Sequence, residues 1–203
     1  MIVGNKLLCS SVFDSDITTI SALCSRIYSG GTPTTTEDTY WNGQYPWLSS
    51  GETSNSYIIK TQKHITDLGV KESSTKLAKK GSVVVASAGQ GLTRGQTSLL
   101  LIDTYVNQSV IVLEPKKGMM GFLYSNLKGR YEEMRNLSDL DSIRGSLTTK
   151  SLGALPVHKV PDEQLTLFER RCAASFALIH RNMLEIESLQ ATLQHILALI
   201  SGR

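Results

Sequence analysis

Cysteine is scarce in this 203-residue sequence. The three cysteines, Cys9, Cys24 and Cys172, are odd in number, lie far apart and form no C-x-x-C pair. The sequence therefore indicates neither a disulfide framework nor a cysteine-bound zinc ion. The four histidines also lack the H-E-x-x-H spacing of zinc peptidases, so we expect no metal site in this chain.

Long apolar runs are absent as well. No run approaches the roughly 18 residues that a membrane-spanning helix requires. Between Met1 and Asp16 the only apolar cluster is the short Leu7-Leu8 pair, which is too little for the core of a signal peptide. Apolar residues make up 40% of the chain and charged residues 19%, as is typical of soluble globular proteins. We expect a cytoplasmic protein with no membrane contact.

Recognisable catalytic motifs are also missing. The sequence has no Asn/Asp-Pro-Pro-aromatic motif of an adenine methyltransferase and no glycine motif for a dinucleotide or a nucleoside triphosphate. No residue pattern points to a Ser/His/Asp triad. We therefore expect a chain that is not an enzyme and that binds no cofactor of its own.

Positive charge is present but concentrated. Residues 60–94 contain seven basic side chains and only Asp67 and Glu72 as acids, although the net charge of the whole chain is only +3. Such a segment fits a surface that faces phosphates. A solvated lysine-rich turn fits equally well, so charge alone does not decide between the two interpretations.

Glycine and proline interrupt the first 158 residues every few positions, and short apolar runs lie between them. The clearest run, Ser82–Ser87, is rich in β-branched residues and predicts a buried strand. Further strands are predicted at 98–102 and 109–113, weaker ones at 57–59 and 17–27, and a helix at 120–135. We predict an α+β fold for residues 1–158: a mixed α/β domain with a β-rich core and glycine-rich loops.

The pattern changes completely in residues 159–203, since no glycine or proline occurs from Asp162 to Ser201. Ten apolar residues recur there at steps of three, four and once seven, close to a heptad repeat. They are Leu165, Phe168, Cys172, Phe176, Ile179, Met183, Ile186, Leu193, Leu197 and Ile200. About 39 residues give a rod of roughly 58 Å, which is longer than one domain core needs. We predict a coiled-coil helix that pairs with a second copy about a two-fold axis; packing entirely on its own domain is the alternative.

Ordered motifs run through most of the sequence. They comprise Gly30–Pro33, the stretch YWNGQYPWLSSG at 40–51, ITDLGV at 65–70, the Thr93-Arg94-Gly95 end of a glycine loop, Asn107-Gln108-Ser109, Leu155-Pro156-Val157 and Glu163-Gln164. Together they closely resemble the specificity subunits of type I restriction-modification enzymes over residues 26–200. One departure is Gly145-Ser146-Leu147-Thr148, where that family often has G-S-T-Q, so any role of a threonine at position 147 is absent. The family commonly has two recognition domains and two spacer helices, whereas this sequence resembles a half-length form with one of each.

The resemblance implies a non-catalytic subunit that recognises double-stranded DNA. It implies modification methyltransferase subunits as partners, which would bind S-adenosylmethionine, and through them a restriction and translocation subunit. Each protomer of a homodimer would recognise one half-site, with the helices antiparallel. Three alternatives remain open: a recognition module for a single-polypeptide restriction-methylation enzyme or for another specificity fragment, a truncated gene product, and a structural coiled-coil adaptor without DNA affinity.

Candidate DNA contacts fall into three groups. The hydroxyls of Thr32, Thr34, Thr35 and Thr36 follow two glycines and can bond phosphates or base edges, although the glycines themselves also fit a strand-ending turn. In the loop at 87–96, Gln90 and Gln96 suit adenine and Arg94 suits guanine, with Thr93 beside them. Lys76, Lys79 and Lys80 are candidate phosphate contacts. Trp41 and Trp47 are expected to anchor the core rather than to stack on bases.

Overall fold

The computed structural model describes residues 16–89, 92–141 and 145–202. The segment tested for a signal peptide, with Cys9, and the candidate contact Gln90 lie outside the described residues. None of the helices within these ranges is long and apolar enough to cross a membrane.

Eleven strands and six α-helices occur along the described residues. In chain order they are β1 Ile17–Thr19, α1 Ile20–Leu23, β2 Cys24–Ser29, β3 Trp41–Leu48, β4 Tyr57–Ile58, β5 Lys63–Ile65, α2 Asp67–Lys71, β6 Lys76–Ala78, β7 Val83–Ala86, β8 Thr97–Leu100, β9 Thr104–Val106, β10 Val110–Pro115, α3 Met120–Lys128, α4 Tyr131–Asp141, α5 Thr149–Ala154, β11 Pro156–His158 and α6 Asp162–Ile200. Short 3₁₀ turns occur at Asp38–Tyr40 and Ser50–Ser54.

Two mixed sheets form the body of the domain. The first has the strand order β2-β10-β7-β8-β4 and the second β5-β3-β9-β6, while β1 and β11 form a separate pair. Within each larger sheet one neighbouring pair is parallel, β4 with β8 and β3 with β9, and the others are antiparallel. This arrangement confirms the predicted α+β fold class.

Strand β7 is buried on both faces, as its β-branched sequence predicts. Val83 and Val85 contact the helices, whereas Val84 packs with Leu48 and Val106 of the second sheet. Side chains alternate between the two faces of a strand, so one four-residue strand contributes to both apolar cores. The three clearest strand predictions, β7, β8 and β10, are confirmed.

Two weaker predictions need correction. The stretch 17–27 is interrupted by α1, because Ile20 and Leu23 are both buried in the helix-side core and Ile20 N donates to Leu155 O. The helix predicted at 120–135 is two helices, α3 and α4, separated at Gly129. Glycine is the weakest helix former after proline, so a break at this position has a local cause.

The long helix α6 extends over 39 residues, as predicted, and follows Pro161. Its first half is part of the helix-side core, where Phe176 is buried against Tyr57 and Tyr124. The carboxylate of Glu169 accepts hydrogen bonds from Gly121 N at 3.0 Å and Phe122 N at 2.7 Å, at the start of α3. The two-sheet domain and α6 are therefore joined by apolar packing and by the Glu169 cap at the start of α3.

The predicted partner-facing row divides at the middle of the helix. Its first five members pack on the chain's own core, where Phe176 is buried and the others are partly buried; they are Leu165, Phe168, Cys172, Phe176 and Ile179. Met183 is half-buried, and the last four, Ile186, Leu193, Leu197 and Ile200, are exposed. The first half of the row therefore packs on the chain's own domain, and a dimer seam along this row stays a prediction.

Candidate nucleic-acid interface

Three loops lie at the same end of the first sheet, where β2 and β7 end and β10 begins. Strand β7 ends at Ala86 opposite Val110, where β10 begins, and β2 ends at Ser29 opposite Ile111. Ser87 N donates to Ser109 O at 2.9 Å just beyond these strand ends. The described parts of segments 30–36, 87–96 and 107–109 therefore lie together, and we call this group the recognition end.

The threonine segment is held by close backbone packing. A Cβ atom on Gly30 would lie 1.9 Å from Val106 O, and one on Gly31 would lie 2.1 Å from the Ser74 hydroxyl, so only glycine fits at both positions. Gly31 N donates to Val106 O at 3.0 Å, and the Thr32 hydroxyl donates to the Gln108 side chain. Both glycines therefore have a packing role, which agrees with the strand-ending turn.

Thr34, Thr35 and Thr36 are exposed at this end. The two tryptophans donate hydrogen bonds to the backbone of the same segment. Trp47 is buried and its Nε1 donates to Gly31 O at 3.3 Å. The Trp41 ring meets that of Trp47 edge-on at 5.1 Å, and its Nε1 donates to Thr34 O at 3.1 Å. The expectation that tryptophan anchors the core is confirmed for Trp47.

The glycine loop closes tightly on itself. Gly95 N donates to Ala86 O at 2.9 Å and Gln96 N donates to Thr93 O at 3.0 Å. Gly89 and Gly95 have φ values of +149° and +86°, which side chains with a Cβ rarely adopt. The loop therefore needs glycine for its backbone conformation at these two positions.

Arg94 points back into the protein rather than outward. Its Nη2 donates to Asp139 Oδ1 of α4 at 2.5 Å, and its Nη1 donates to Gly145 O. The side chain is only 16% exposed, and its Nε is buried with no hydrogen-bond partner in the described part of the chain. The Gln96 Oε1 atom is buried in the same unpartnered way. In this conformation Arg94 ties the loop to α4.

The three candidate lysines are at two different places. Lys76 is exposed on β6 opposite Val106, beside the threonine segment, with its Nζ 5.8 Å from the Tyr28 ring centroid. Lys79 and Lys80 follow the other end of β6, where Lys79 Nζ and Lys80 N both donate to Asp103. The hydrogen bond from the Lys80 backbone lowers the pKa of Asp103 most, and the hydrogen bond from the Lys79 side chain lowers it further.

Lys80 also faces the rod. Its Nζ lies 3.4 Å from Nδ1 of His180 on α6, and desolvation followed by the charge of Lys80 lowers the pKa of His180. Lys60 forms an ion pair with Glu187 further along the same helix. Basic residues of the segment 60–94 thus contact α6 at one end of the domain and lie beside the recognition end at the other.

Sequence reasoning missed two residues at the recognition end. The exposed Lys63 lies with its Nζ 5.4 Å from the Trp41 ring centroid, next to the threonine segment. The exposed Gln108 accepts the Thr32 hydrogen bond. Lys63 stood in the basic segment and Gln108 in a motif, but their positions depend on strand pairing that spacing does not show. Across the described ranges, no group of three or more His, Cys, Asp or Glu side chains could bind a metal ion.

A domain of two mixed sheets that continues into a long helix is a known architecture. It resembles the crystal structure of a type I restriction-modification system S subunit from M. genitalium, with a TM-score of 0.60 and 16% sequence identity. The match covers 88% of this chain and 44% of that one, and it establishes the shared fold.

The profile described as "Type I restriction modification DNA specificity domain" matches residues 16–164. This match covers most of the sequence, and the chain belongs to that family. It is 24% identical over 143 residues to the Escherichia coli "Type I restriction enzyme EcoR124I/EcoR124II specificity subunit", over 68% of this chain and 35% of that protein. It is 28% identical over 103 residues to the Methanocaldococcus jannaschii "Type I restriction enzyme MjaIX specificity subunit", over 49% of this chain and 23% of that protein.

The chain thus spans about a third or less of the length of these two curated relatives. Both are named as specificity subunits, which agrees with the prediction that this chain is a specificity component. The resemblance inferred from the ordered motifs is confirmed by the family match.

Proposed function

We propose that this chain recognises one DNA half-site per protomer and dimerises through α6, with the two helices antiparallel. In this proposal the chain also recruits modification methyltransferase subunits. One combined observation carries this proposal. Polar side chains are exposed at the recognition end, and apolar side chains are exposed on the second half of α6. Membership of the DNA specificity family supports the DNA half of the proposal.

The recognition end offers two kinds of DNA contact. Thr34, Thr35 and Thr36 present hydroxyls, and the exposed Lys63 and Lys76 present cations near the rings of Trp41 and Tyr28. Such groups bond phosphates, which gives affinity and orientation without sequence information. Base recognition then falls to the loop at 87–96, which includes Gln90, Thr93 and Gln96. Arg94 contributes a base contact only if it leaves Asp139, and Gln96 pairs with adenine only if its buried Oε1 turns outward.

The second half of α6 has no cover on its apolar side chains within the described chain. Leu189, Leu193, Ile196, Leu197 and Ile200 are all exposed. A contiguous apolar surface of this kind marks an interface. A second copy is the simplest partner, and a two-fold dimer would recognise two identical half-sites in inverted orientation. We expect half-site centres about one to one and a half duplex turns apart, on a scale of roughly 34–36 Å per turn.

The remaining partners follow from this role. S-adenosylmethionine would bind to the methyltransferase subunit and not to this chain, and a restriction and translocation subunit would join through the methyltransferase. Co-purification with a type I modification methyltransferase from the same cells tests that step directly. Recovery of a stoichiometric complex is the expected result, and its absence under conditions where both proteins fold would favour a truncated, non-assembling product.

DNA binding is tested by fluorescence anisotropy with a duplex that carries the methylated motif of the host cells, over a range of salt concentrations. We expect affinity to fall steeply with salt, because phosphate contacts release counterions. A structural adaptor would show no affinity at any salt concentration, with or without the methyltransferase, and that outcome would contradict the proposal.

A further inference from the structure

The side of α6 that faces away from its own domain carries a second apolar row. Leu167, Leu178, Leu189 and Ile200 follow one another at intervals of eleven residues, and all four are exposed. Eleven residues correspond to three turns at about 3.67 residues each, so these side chains lie along one face of a nearly straight helix. This row spans almost the whole rod, whereas the row packed on the recognition domain stops at Ile179.

The sequence of this row is symmetric about Leu178. Steps of four, seven and eleven residues from Leu178 lead to matching exposed positions in both directions. These positions are Ala174, Arg171 and Leu167 toward the start of the helix and Asn182, Glu185 and Leu189 toward its end. Ala174 thus matches Asn182, and Leu167 matches Leu189. The cation Arg171 matches the anion Glu185.

We propose that two copies of this chain pair along this row, antiparallel, with the two-fold axis at Leu178. This inference rests on the homodimer proposed above and specifies its face and register. About the axis, Arg171 of one copy faces Glu185 of the other and Leu167 faces Leu189, and symmetry repeats each pair. Arg171 and Glu185 take part in none of the ion pairs found among the described residues, so both charges are available.

The same register accounts for the wide apolar end of the rod. The two helices overlap from Asp162 to Gln194, so the last turns extend past the partner helix to its recognition domain. The exposed Ile196, Leu197, Leu199 and Ile200 lie in these last turns, beyond the start of the partner helix. In the chain, α6 directly follows β11, whose partner strand β1 carries the exposed Ile17. Helical side chains that meet both a helix and a domain surface need an apolar face wider than a coiled-coil seam.

A rival register places the axis one turn later, between Arg181 and Asn182. It pairs Leu167 with Ile196, but it sets Leu178 against Glu185 and Arg171 against Thr192. The leucine at the centre of the row would then meet a carboxylate, and neither charge would have an opposite partner. The Leu178 axis is the one that matches both the charges and the apolar positions.

Cysteine cross-linking locates the axis. Leu178→Cys should give an intermolecular disulfide under mild oxidation, because only a residue at the axis comes within the roughly 7 Å Cα separation that a disulfide allows to its own copy. Leu184→Cys is the matched control, since Leu184 is similarly exposed but lies on another face of α6. Cross-linking of Asn182→Cys without cross-linking of Leu178→Cys would overturn the proposed axis.

Charge reversal tests the paired ions in the full chain. Arg171→Glu and Glu185→Arg should each weaken the dimer by roughly tenfold or more, because like charges then face each other twice. The double variant should restore association, as measured by sedimentation equilibrium, with helix content checked by circular dichroism. A dimer that neither single variant weakens would overturn this register while leaving the homodimer intact. A monomeric wild-type chain at tens of micromolar would overturn both.

Discussion

At the scale of the residue, Arg94 shows why side-chain type alone does not define a DNA contact. An arginine in a glycine loop suits guanine by its chemistry. Here its guanidinium is bound to Asp139 and to the Gly145 carbonyl, and most of the side chain is covered. The same residue can shape the glycine loop without touching a base, and this role makes a distinct prediction.

Arg94→Ala should lower the free energy of unfolding by about 1.5–3 kcal/mol, the usual range for a lost hydrogen bond to a charged group. Lys79→Ala is the matched control, because its ion pair with Asp103 is exposed and such pairs contribute about 0–1 kcal/mol. Urea unfolding followed by circular dichroism measures both. Equal losses for the two variants would argue against Arg94 as the tie between the loop and α4.

Asp139→Asn separates loop positioning from base contact. If Arg94 acts by positioning, weakening its partner should reduce the ratio of cognate to non-cognate DNA affinity. If Arg94 instead contacts guanine directly, releasing it should leave that ratio unchanged or raise it. Competition binding with a cognate and a scrambled duplex at fixed salt concentration distinguishes these results.

The lysines at the two ends of the domain should differ in their effect on DNA. Lys63→Glu and Lys76→Glu should each weaken binding to cognate and scrambled duplexes alike and reduce the salt slope by about one, since each removes a phosphate contact. Lys79 lies at the other end of β6, next to Asp103, so Lys79→Glu should have a much smaller effect on DNA binding. A larger loss for Lys79→Glu would place the DNA at the rod end of the domain.

At the scale of the element, the two halves of α6 differ in what they contact. The first half completes the helix-side core through Phe176 and caps α3 through Glu169. The second half extends beyond the core with its apolar side chains exposed. The heptad-like spacing predicts one continuous row for both halves, because spacing does not record which surface each part of the helix meets.

Phe176→Ala should therefore destabilise the recognition domain by about 3–5 kcal/mol, as expected for removing a buried aromatic side chain. Leu184→Ala, on an exposed face away from the proposed dimer row, should cost less than about 0.5 kcal/mol. Thermal unfolding monitored in the near ultraviolet, where the aromatic cluster absorbs, checks both variants. A small effect of Phe176→Ala would mean that the rod is not integrated into the domain.

At the scale of the whole molecule, the fold class and the long helix follow from the sequence, while the assembly of the recognition end does not. The run at Ser82–Ser87 predicts β7 because a doubly buried strand leaves a continuous β-branched signature. The chain order does not reveal that Lys76 and Lys79, three residues apart, lie at different ends of a strand. Nor does it place Lys63 beside Trp41, which requires the pairing of β3 with β5.

Methylome sequencing of cells that carry this gene and its cognate methyltransferase tests the central claim most directly. Two identical half-recognition units related by a two-fold axis predict one bipartite motif, with the same half-site repeated in inverted orientation around a fixed spacer. Deletion of this gene should abolish that methylation. A single asymmetric motif that depends on this gene would contradict the symmetric DNA-recognising dimer.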